Sequence, residues 1–315
     1  MQKKVTIIGA GAVGAATAFA LLTRGAASEV VLIDINTERA LGEALDIKQA
    51  TPFIDNCDIC AGSYQDAVGS DVVIITSGIG RKPGQSRLEL VQTNLEIIKQ
   101  VATDIVKAAP NAIYILVANP VDILTYAFLK YTGLPKNQVF GTGTVLDTIR
   151  LRTRLAELYN VNKQQVHANV LGEHGDTSFV AWSTATIAGV PLAEFNGAIA
   201  SAYNAPSEYS REDIETYVRK SGGKIISRKG CTVYGIAMTS THIVKTLGGS
   251  AETALTVSSF HDGEYGIKDV CISSLSLVDH TGVRSIITQK LSDDELRRLH
   301  ASAEALKDVI KNVTF

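Results

Sequence analysis

The stretch from Val5 to Arg24 constrains the fold of this chain more than any other. Val5-Thr-Ile-Ile8 is a β-branched run, Gly9-Ala-Gly-Ala-Val-Gly14 follows directly, and an apolar segment continues to Arg24. The first run reads as a buried strand and Val13 to Arg24 as a helix. The glycines fall where strand becomes helix, in the pattern G-x-G-x-x-G. They permit a tight turn and let the helix N-terminus approach a pyrophosphate. Alone the string is weak, since glycines also serve ordinary packing. Its context adds weight: Asp34 closes a second strand-like run, Val30-Val-Leu-Ile33, about 20 residues on. A carboxylate there accepts hydrogen bonds from ribose hydroxyls and repels a 2′-phosphate. Gly9, Gly11, Ala12, Val13, Gly14 and Asp34 are therefore candidate NAD ligands, with a turn or N-cap role the alternative for Asp34.

The same stretch imitates a signal peptide, because Lys3-Lys4 precedes an apolar run from Val5 to Leu22. Three glycines interrupt it, and a strand, a turn and a buried helix explain it better. The expectation is a soluble, cytoplasmic protein that meets no membrane. Its 315 residues suit two domains or one large α/β unit. Thirty basic against 32 acidic side chains leave a formal charge of −2, and the cations are scattered. No field is present to attract nucleic acid or an anionic membrane. Of the four cysteines, Cys57-Asp-Ile-Cys60 has the spacing of a redox or zinc motif. It lacks a second pair and a nearby histidine, so incidental thiols in a reducing cytosol are expected.

Strand-like and helical runs alternate through the first half, the signature of βαβ units and a parallel sheet. Strands are expected at Val5–Ile8, Val30–Ile33, Val72–Thr76 and Ala112–Val117. Helices are expected from about Thr37 to Ile47 and from Leu88 to Ala109. From Val121 to about Tyr159 the pattern reads as largely helical. After Trp182 it shifts toward hairpins: Leu255–Phe260 precedes Asp262-Gly263, and Val270–Val278 precedes His280-Thr-Gly282. Ser292 and Glu295 form an S-x-x-E capping box before a terminal helix. No flexible linker separates the halves, so they should share a broad interface.

Three clusters offer chemistry. Gly172-Glu-His-Gly-Asp176 puts a histidine among glycines after an apolar run. Imidazole titrates near neutrality and suits general acid–base work, though a histidine in such a loop is more often structural. It needs an orienting carboxylate, and Asp147, in an apolar helix, is a candidate. Arg81-Lys-Pro-Gly-Gln-Ser-Arg87 is a charged loop before a long helix. Taken alone it is a solvated surface loop, just as Arg150 and Arg152 are ordinary ion-pair residues.

Together, Gly9–Gly14, Asp34, Arg81–Arg87, Asn119-Pro-Val-Asp122, Leu146-Asp-Thr-Ile-Arg150 and Gly172–Asp176 resemble the L-lactate/malate dehydrogenase family, in order and along essentially the whole chain. The resemblance implies an α/β protein. A doubly wound parallel (Rossmann) sheet would occupy residues 1–142, and a mixed α/β substrate domain with antiparallel strands residues 143–315. It also implies reversible hydride transfer between NADH and a small 2-keto acid. His174 would give a proton to the keto oxygen and Asp147 would hold the imidazole. Arg150 would grip the substrate carboxylate through two parallel hydrogen bonds. Arg87 would polarise the keto group, and Asn119 would touch nicotinamide and substrate.

The resemblance divides over the substrate. Arg81 matches the position where lactate enzymes typically carry glutamine and malate enzymes arginine, because oxaloacetate has a second carboxylate. Gly172–Thr177, Trp182-Ser183 and Gly230–Ile236, with Thr232 in the pocket, look lactate-like. The reading adopted is lactate dehydrogenase with oxaloacetate reduction expected from Arg81; malate dehydrogenase is the alternative. Arg152 and His167 match an arginine and a histidine that bind fructose 1,6-bisphosphate in activated bacterial members. The family implies a homotetramer, or else a dimer. Two remote readings remain: a metal-dependent family 4 glycosidase, for which His167, His242 and Cys231 lack clustered ligand spacing, and a non-enzymatic NAD-binding protein, against which the intact His174, Asp147, Arg87 and Arg150 argue.

Overall fold

Short apolar runs become the centre of one sheet. The computed structural model describes residues 3–54, 57–80, 87–198 and 210–315, with the backbone alone at 87 and 196–198. The first half runs β1 (Lys4–Ile8), α1 (Ala12–Thr23), β2 (Glu29–Ile33), α2 (Thr37–Lys48), β3 (Asp58–Ala61), β4 (Val72–Ile75), α3 (Arg87–Ala108), β5 (Ile113–Leu116), α4 (Val121–Thr132) and β6 (Val139–Gly141). These strands pair in parallel in the order β3-β2-β1-β4-β5-β6. That is the doubly wound order, and it reverses between β1 and β4, where such sheets open a crevice at the strands' carboxyl ends.

The second half follows with α5 (Val145–Tyr159), β7 (Val166–His167), β8 (Val170–Leu171), β9 (Phe179–Val180), β10 (Thr186–Ile187), β11 (Val190–Pro191), α6 (Leu192–Ala198), α7 (Arg211–Lys229) and α8 (Tyr234–Leu247). It closes with β12 (Thr253–Leu255), β13 (Ser258–Asp262), β14 (Lys268–Ser273), β15 (Ser276–Asp279), β16 (Gly282–Ile286) and α9 (Asp293–Lys311). The β13–β14 hairpin is antiparallel and extends the main sheet through Ser258 opposite Gly141. The halves therefore share one sheet.

Side chains alternate across that sheet with the period of two that strands impose. On β4, Val73 and Ile75 face a core completed by α3, α4 and Leu299 and Leu306 of α9. Val72 and Ile74 face the opposite core, with Leu21 and Leu22 of α1 and Ile243 and Leu247 of α8. Each such fully buried aliphatic contributes roughly 1.5–3 kcal/mol. Both cores draw on both halves, which is the broad interface that the missing linker predicts. A third core binds Leu151 and Leu155 of α5 to Val218 of α7 and to the short strands.

Most expected elements form within a residue or two. The exceptions are physical. The stretch from Val121 to Tyr159 is not one helical region: β6 interrupts it, three residues long and too short to show a period. Leu255–Phe260 breaks between β12 and β13, and Val270–Val278 between β14 and β15, because the chain switches sheets at both places. Three helices, α6, α7 and α8, stand where the sequence shows only hairpin texture. Cys60 lies on the edge strand β3, and no disulfide joins the four cysteines, all of which are among the described residues. Among the described residues no group of three His, Cys, Asp or Glu could hold a metal, and no helix is long and apolar enough to cross a membrane.

Candidate active site

The turn between β1 and α1 sits at the sheet's switch point. Gly9 has φ +107°, and a Cβ there would lie 2.6 Å from Thr76 Oγ1. Thr76 Oγ1 donates to the carbonyls of Ile8 and Gly9 at 3.1 and 3.0 Å, which fixes the turn against β4. A Cβ on Gly14 would overlap the Gly9 carbonyl oxygen. Gly11 is different: it caps α1 without a side-chain bond, and among the described residues nothing lies within 4 Å of where its Cβ would be. The first N–H groups of α1, at Ala12 and Val13, therefore border a concavity suited to an anion. Asp34 is fastened beside it, its Oδ2 accepting Ala10 N–H at 2.6 Å and its Oδ1 accepting Asn36 N–H at 2.8 Å. Oxygen lone pairs remain for a ribose. These residues fit a dinucleotide.

A cavity of about 410 Å³ opens next to the turn, and Val13, Asn119, Asp147, Arg150, His174 and Thr232 all line it. Residues far apart in sequence meet here because α5 runs alongside the loop after β8. His174 Nδ1 lies 2.6 Å from Asp147 Oδ2, and Arg150 Nη1 donates to Asp147 Oδ1 at 2.8 Å. Asp147 is buried and His174 keeps 28% of its side chain exposed, so the ring meets both protein and cavity. With Nδ1 engaged, Nε2 is the nitrogen left for a substrate.

Electrostatics hold this pair charged. Burial alone lowers the His174 pKa, but the charge and hydrogen bond of Asp147, with Asp122 behind, outweigh it and raise the ring above its ordinary value. Burial raises Asp147, yet His174 and Arg150 overcome it and hold the carboxyl below its usual range. The arrangement can store a proton on an oriented imidazole and present a cation to an anionic substrate.

Asn119 is held from below. Asn94 of α3 is fully buried; its Nδ2 donates to Asn119 O at 2.8 Å and its Oδ1 accepts Ile79 N–H at 2.9 Å. One amide thus ties together the loops that leave β4 and β5. Thr232 lies between α7 and α8.

Sequence reading missed several residues of the site. Asp122 is buried, and its Oδ2 accepts the backbone N–H of His174 at 2.8 Å. Burial pushes its pKa up to about 6, against the pull of the His174 N–H and the neighbouring Ser258 hydroxyl. Arg219 of α7 lines the cavity too, tied to Glu215 Oε2 at 3.1 Å and Ser178 O at 3.0 Å. Asp122 ends the Asn119–Asp122 motif, which gave it no role of its own, and nothing local marked Arg219.

Arg81 and the Arg87 side chain lie outside the described residues. Arg152 and His167 stand apart from the cavity but near each other. Arg152 donates through Nε to Ala168 O at 2.9 Å and through Nη2 to Asn169 Oδ1 at 3.0 Å. His167, next along β7, is exposed.

A doubly wound sheet whose switch point joins a dinucleotide turn to an imidazole–carboxylate–guanidinium array is the frame of an NAD-dependent oxidoreductase. The relatives narrow this. The family model of the lactate/malate dehydrogenase NAD-binding domain matches residues 3–141, and that of the lactate/malate dehydrogenase α/β C-terminal domain matches residues 144–315. The L-lactate dehydrogenase of Acetivibrio thermocellus is 42% identical over 311 residues, covering 99% of this chain and 97% of the relative. That of Thermoanaerobacterium saccharolyticum is 42% identical over 312 residues, 99% of each chain. The ligand-bound crystal structure of the minor L-lactate dehydrogenase of Enterococcus mundtii is 38% identical; it superposes with a TM-score of 0.93 and covers 100% of this chain and 99% of its own. This chain belongs to the lactate/malate dehydrogenase family.

Proposed function

We propose that the protein is an L-lactate dehydrogenase that reduces pyruvate with NADH and runs in reverse with L-lactate and NAD. The observation that carries this is the His174–Asp147–Arg150 array in one cavity beside the glycine turn. The relatives named above are L-lactate dehydrogenases, which does not favour the malate alternative.

NADH, when bound, supplies the hydride to the carbonyl carbon. The chain's residues do the rest. Gly9, Gly11, Ala12, Val13 and Gly14 receive the pyrophosphate, Asp34 the ribose, and Asn119 borders nicotinamide and substrate. Arg150 binds the substrate carboxylate while still steadying Asp147. Arg87 polarises the keto oxygen. The carbonyl π electrons move onto oxygen as the C–H bond forms, and the proton on His174 Nε2 passes to that oxygen. Asp147 stabilises the imidazolium before transfer, and solvent returns the proton afterwards. Thr232 closes the pocket on the substrate's far side.

Residues 1–142 form the cofactor domain and 143–315 the substrate domain in this reading, in a cytoplasmic homotetramer. Arg81 gives the enzyme activity toward oxaloacetate. The test compares kcat/KM for pyruvate and oxaloacetate with NADH, in wild type and Arg81→Gln. Pyruvate as the better substrate, with L-lactate as product, supports the reading. Preference for oxaloacetate, lost in Arg81→Gln, makes the protein a malate dehydrogenase instead.

A further inference from the structure

A ring of three hydrogen bonds closes on the residue before His174. The hydroxyl of Ser302, buried on α9, accepts Glu173 N–H at 2.8 Å and lies 2.7 Å from Thr177 Oγ1. Thr177 Oγ1 in turn donates to Glu173 Oε2 at 2.8 Å. Thr177 has one proton and spends it on that carboxylate, so the Ser302 proton goes to Thr177. The ring therefore leaves the backbone of Glu173 and returns to its side chain, each hydroxyl donating once. Hydrogen bonds that point one way around such a chain strengthen one another.

Packing gives no reason for a serine at 302. Leu299, Ala303 and Leu306 around it on α9 are core residues. There a serine forms helix less readily than alanine, and a hydroxyl costs free energy unless it is bonded. What Ser302 gains is the loop, whose glycines are fitted to the ring. Gly172 has φ +94°, and a Cβ there would lie 3.0 Å from Ser302 Oγ. A Cβ on Gly175 would lie 2.9 Å from Glu173 Cδ, in a side chain that the ring holds in place. Two consecutive amides are thus pinned from two helices: Glu173 N–H by Ser302 of α9, and His174 N–H by Asp122 of α4. That fixes where the imidazole begins, and its Nδ1 ends 2.6 Å from Asp147.

We propose that Ser302, acting through Glu173 and Thr177, is a positioning residue that aims His174 at Asp147 and the substrate. This rests on the reading of His174 as the proton donor. Among the described residues, the charged groups that act on His174 are Asp147 and Arg150 of α5 and Asp122 of α4. Glu173 and Asp176 flank it in the chain, and Arg219 of α7 lines the same cavity. None of these is altered by opening the ring at Ser302 or Thr177. A loosened loop weakens the contact with Asp147, and the imidazole then titrates at lower pH.

The experiment opens the ring at two places and restores it at one. Ser302→Ala and Thr177→Val each remove a hydroxyl without adding bulk, and Thr177→Ser keeps one. The readouts are kcat and KM for pyruvate with NADH, and the His174 midpoint from NMR titration of its ring protons in the protein alone. Both open-ring variants should lose about tenfold to a hundredfold in kcat, the effect of a misplacement of up to an ångström, with KM little changed. Their His174 midpoint should fall by about 0.5 pH or more, while Thr177→Ser matches wild type. A role confined to stability lowers the urea midpoint and leaves kcat and the His174 midpoint in place, which overturns the inference. An unmoved His174 midpoint in both open-ring variants also overturns it, whatever the loss of kcat. Failure of wild type to reduce pyruvate overturns the 2-oxo acid reading alone, because the NMR midpoint still decides whether Ser302 positions His174.

Discussion

Asp147 Oδ2 lies 2.6 Å from His174 Nδ1 while the same carboxylate's Oδ1 accepts a hydrogen bond from Arg150 at 2.8 Å. One buried anion thus sets both the tautomer of the acid–base group and the position of the cation proposed to bind the substrate. Because Asp147 raises the His174 pKa, the imidazolium persists above the ordinary value of about 6.5. In the proposed reaction keto-acid reduction consumes that proton, so its rate should hold until the pH passes the raised pKa and then fall. Hydroxy-acid oxidation needs the neutral ring and rises through the same window. Asp147→Asn should move both profiles to lower pH and cut kcat by about 10²–10⁴, the usual worth of general acid–base catalysis. Profiles of kcat against pH in both directions check this; an unmoved midpoint contradicts it.

Asp122 makes a second claim, about stability. Its carboxyl is held at about 6 against an ordinary 3.8, so between these values the folded chain binds more protons than the unfolded one. Stability then falls as pH rises from about 4 to 6, by a total on the order of 3 kcal/mol. Asp122→Asn keeps an oxygen for the His174 N–H and removes that slope. Urea midpoints across this range should show wild type falling further than the variant. Removing the charge also lowers the His174 pKa, by less than Asp147→Asn does, because Asp122 acts on the ring through space alone.

Asp34 is the residue proposed to select the cofactor. With the carboxylate removed in Asp34→Ser, nothing there repels a 2′-phosphate, and the ratio of kcat/KM for NADH over NADPH should fall by about tenfold or more. Steady-state kinetics with both cofactors reads this. A ratio that stays the same places the ribose elsewhere.

The pairing of Arg152 with the segment after His167 bears on regulation. If Arg152 and His167 bind a sugar bisphosphate, fructose 1,6-bisphosphate should lower the KM for pyruvate, and His167→Gln should abolish that effect. A titration without response in wild type removes the idea.

Much of this architecture was legible because local chemistry announced it. Val5–Asp34 displayed strand, glycine turn, helix, strand and carboxylate in sequence, and the structure places Asp34 against Ala10 as that order requires. Ser292 and Glu295 announced α9 through its capping box. The residues alone made Asp147 only a candidate partner for His174, since 27 residues separate them, and the resemblance singled it out. β6 was too short to show a period, and the polar, glycine-interrupted α7 showed no apolar stripe. Asp122 of α4 and Arg219 of α7 reach the site through tertiary contacts, with the His174 backbone and the Ser178 carbonyl, that no spacing reveals.

The central claim is that His174 passes the proton in an NADH-dependent reduction of pyruvate. Its most direct test is stopped-flow NADH oxidation by pyruvate in wild type and His174→Gln, with cofactor binding followed separately by NADH fluorescence. The account predicts rapid turnover to L-lactate in wild type, and in the variant a loss of about a thousandfold or more with NADH still bound. Pyruvate left unreduced by wild type, or reduced equally well by His174→Gln, contradicts it.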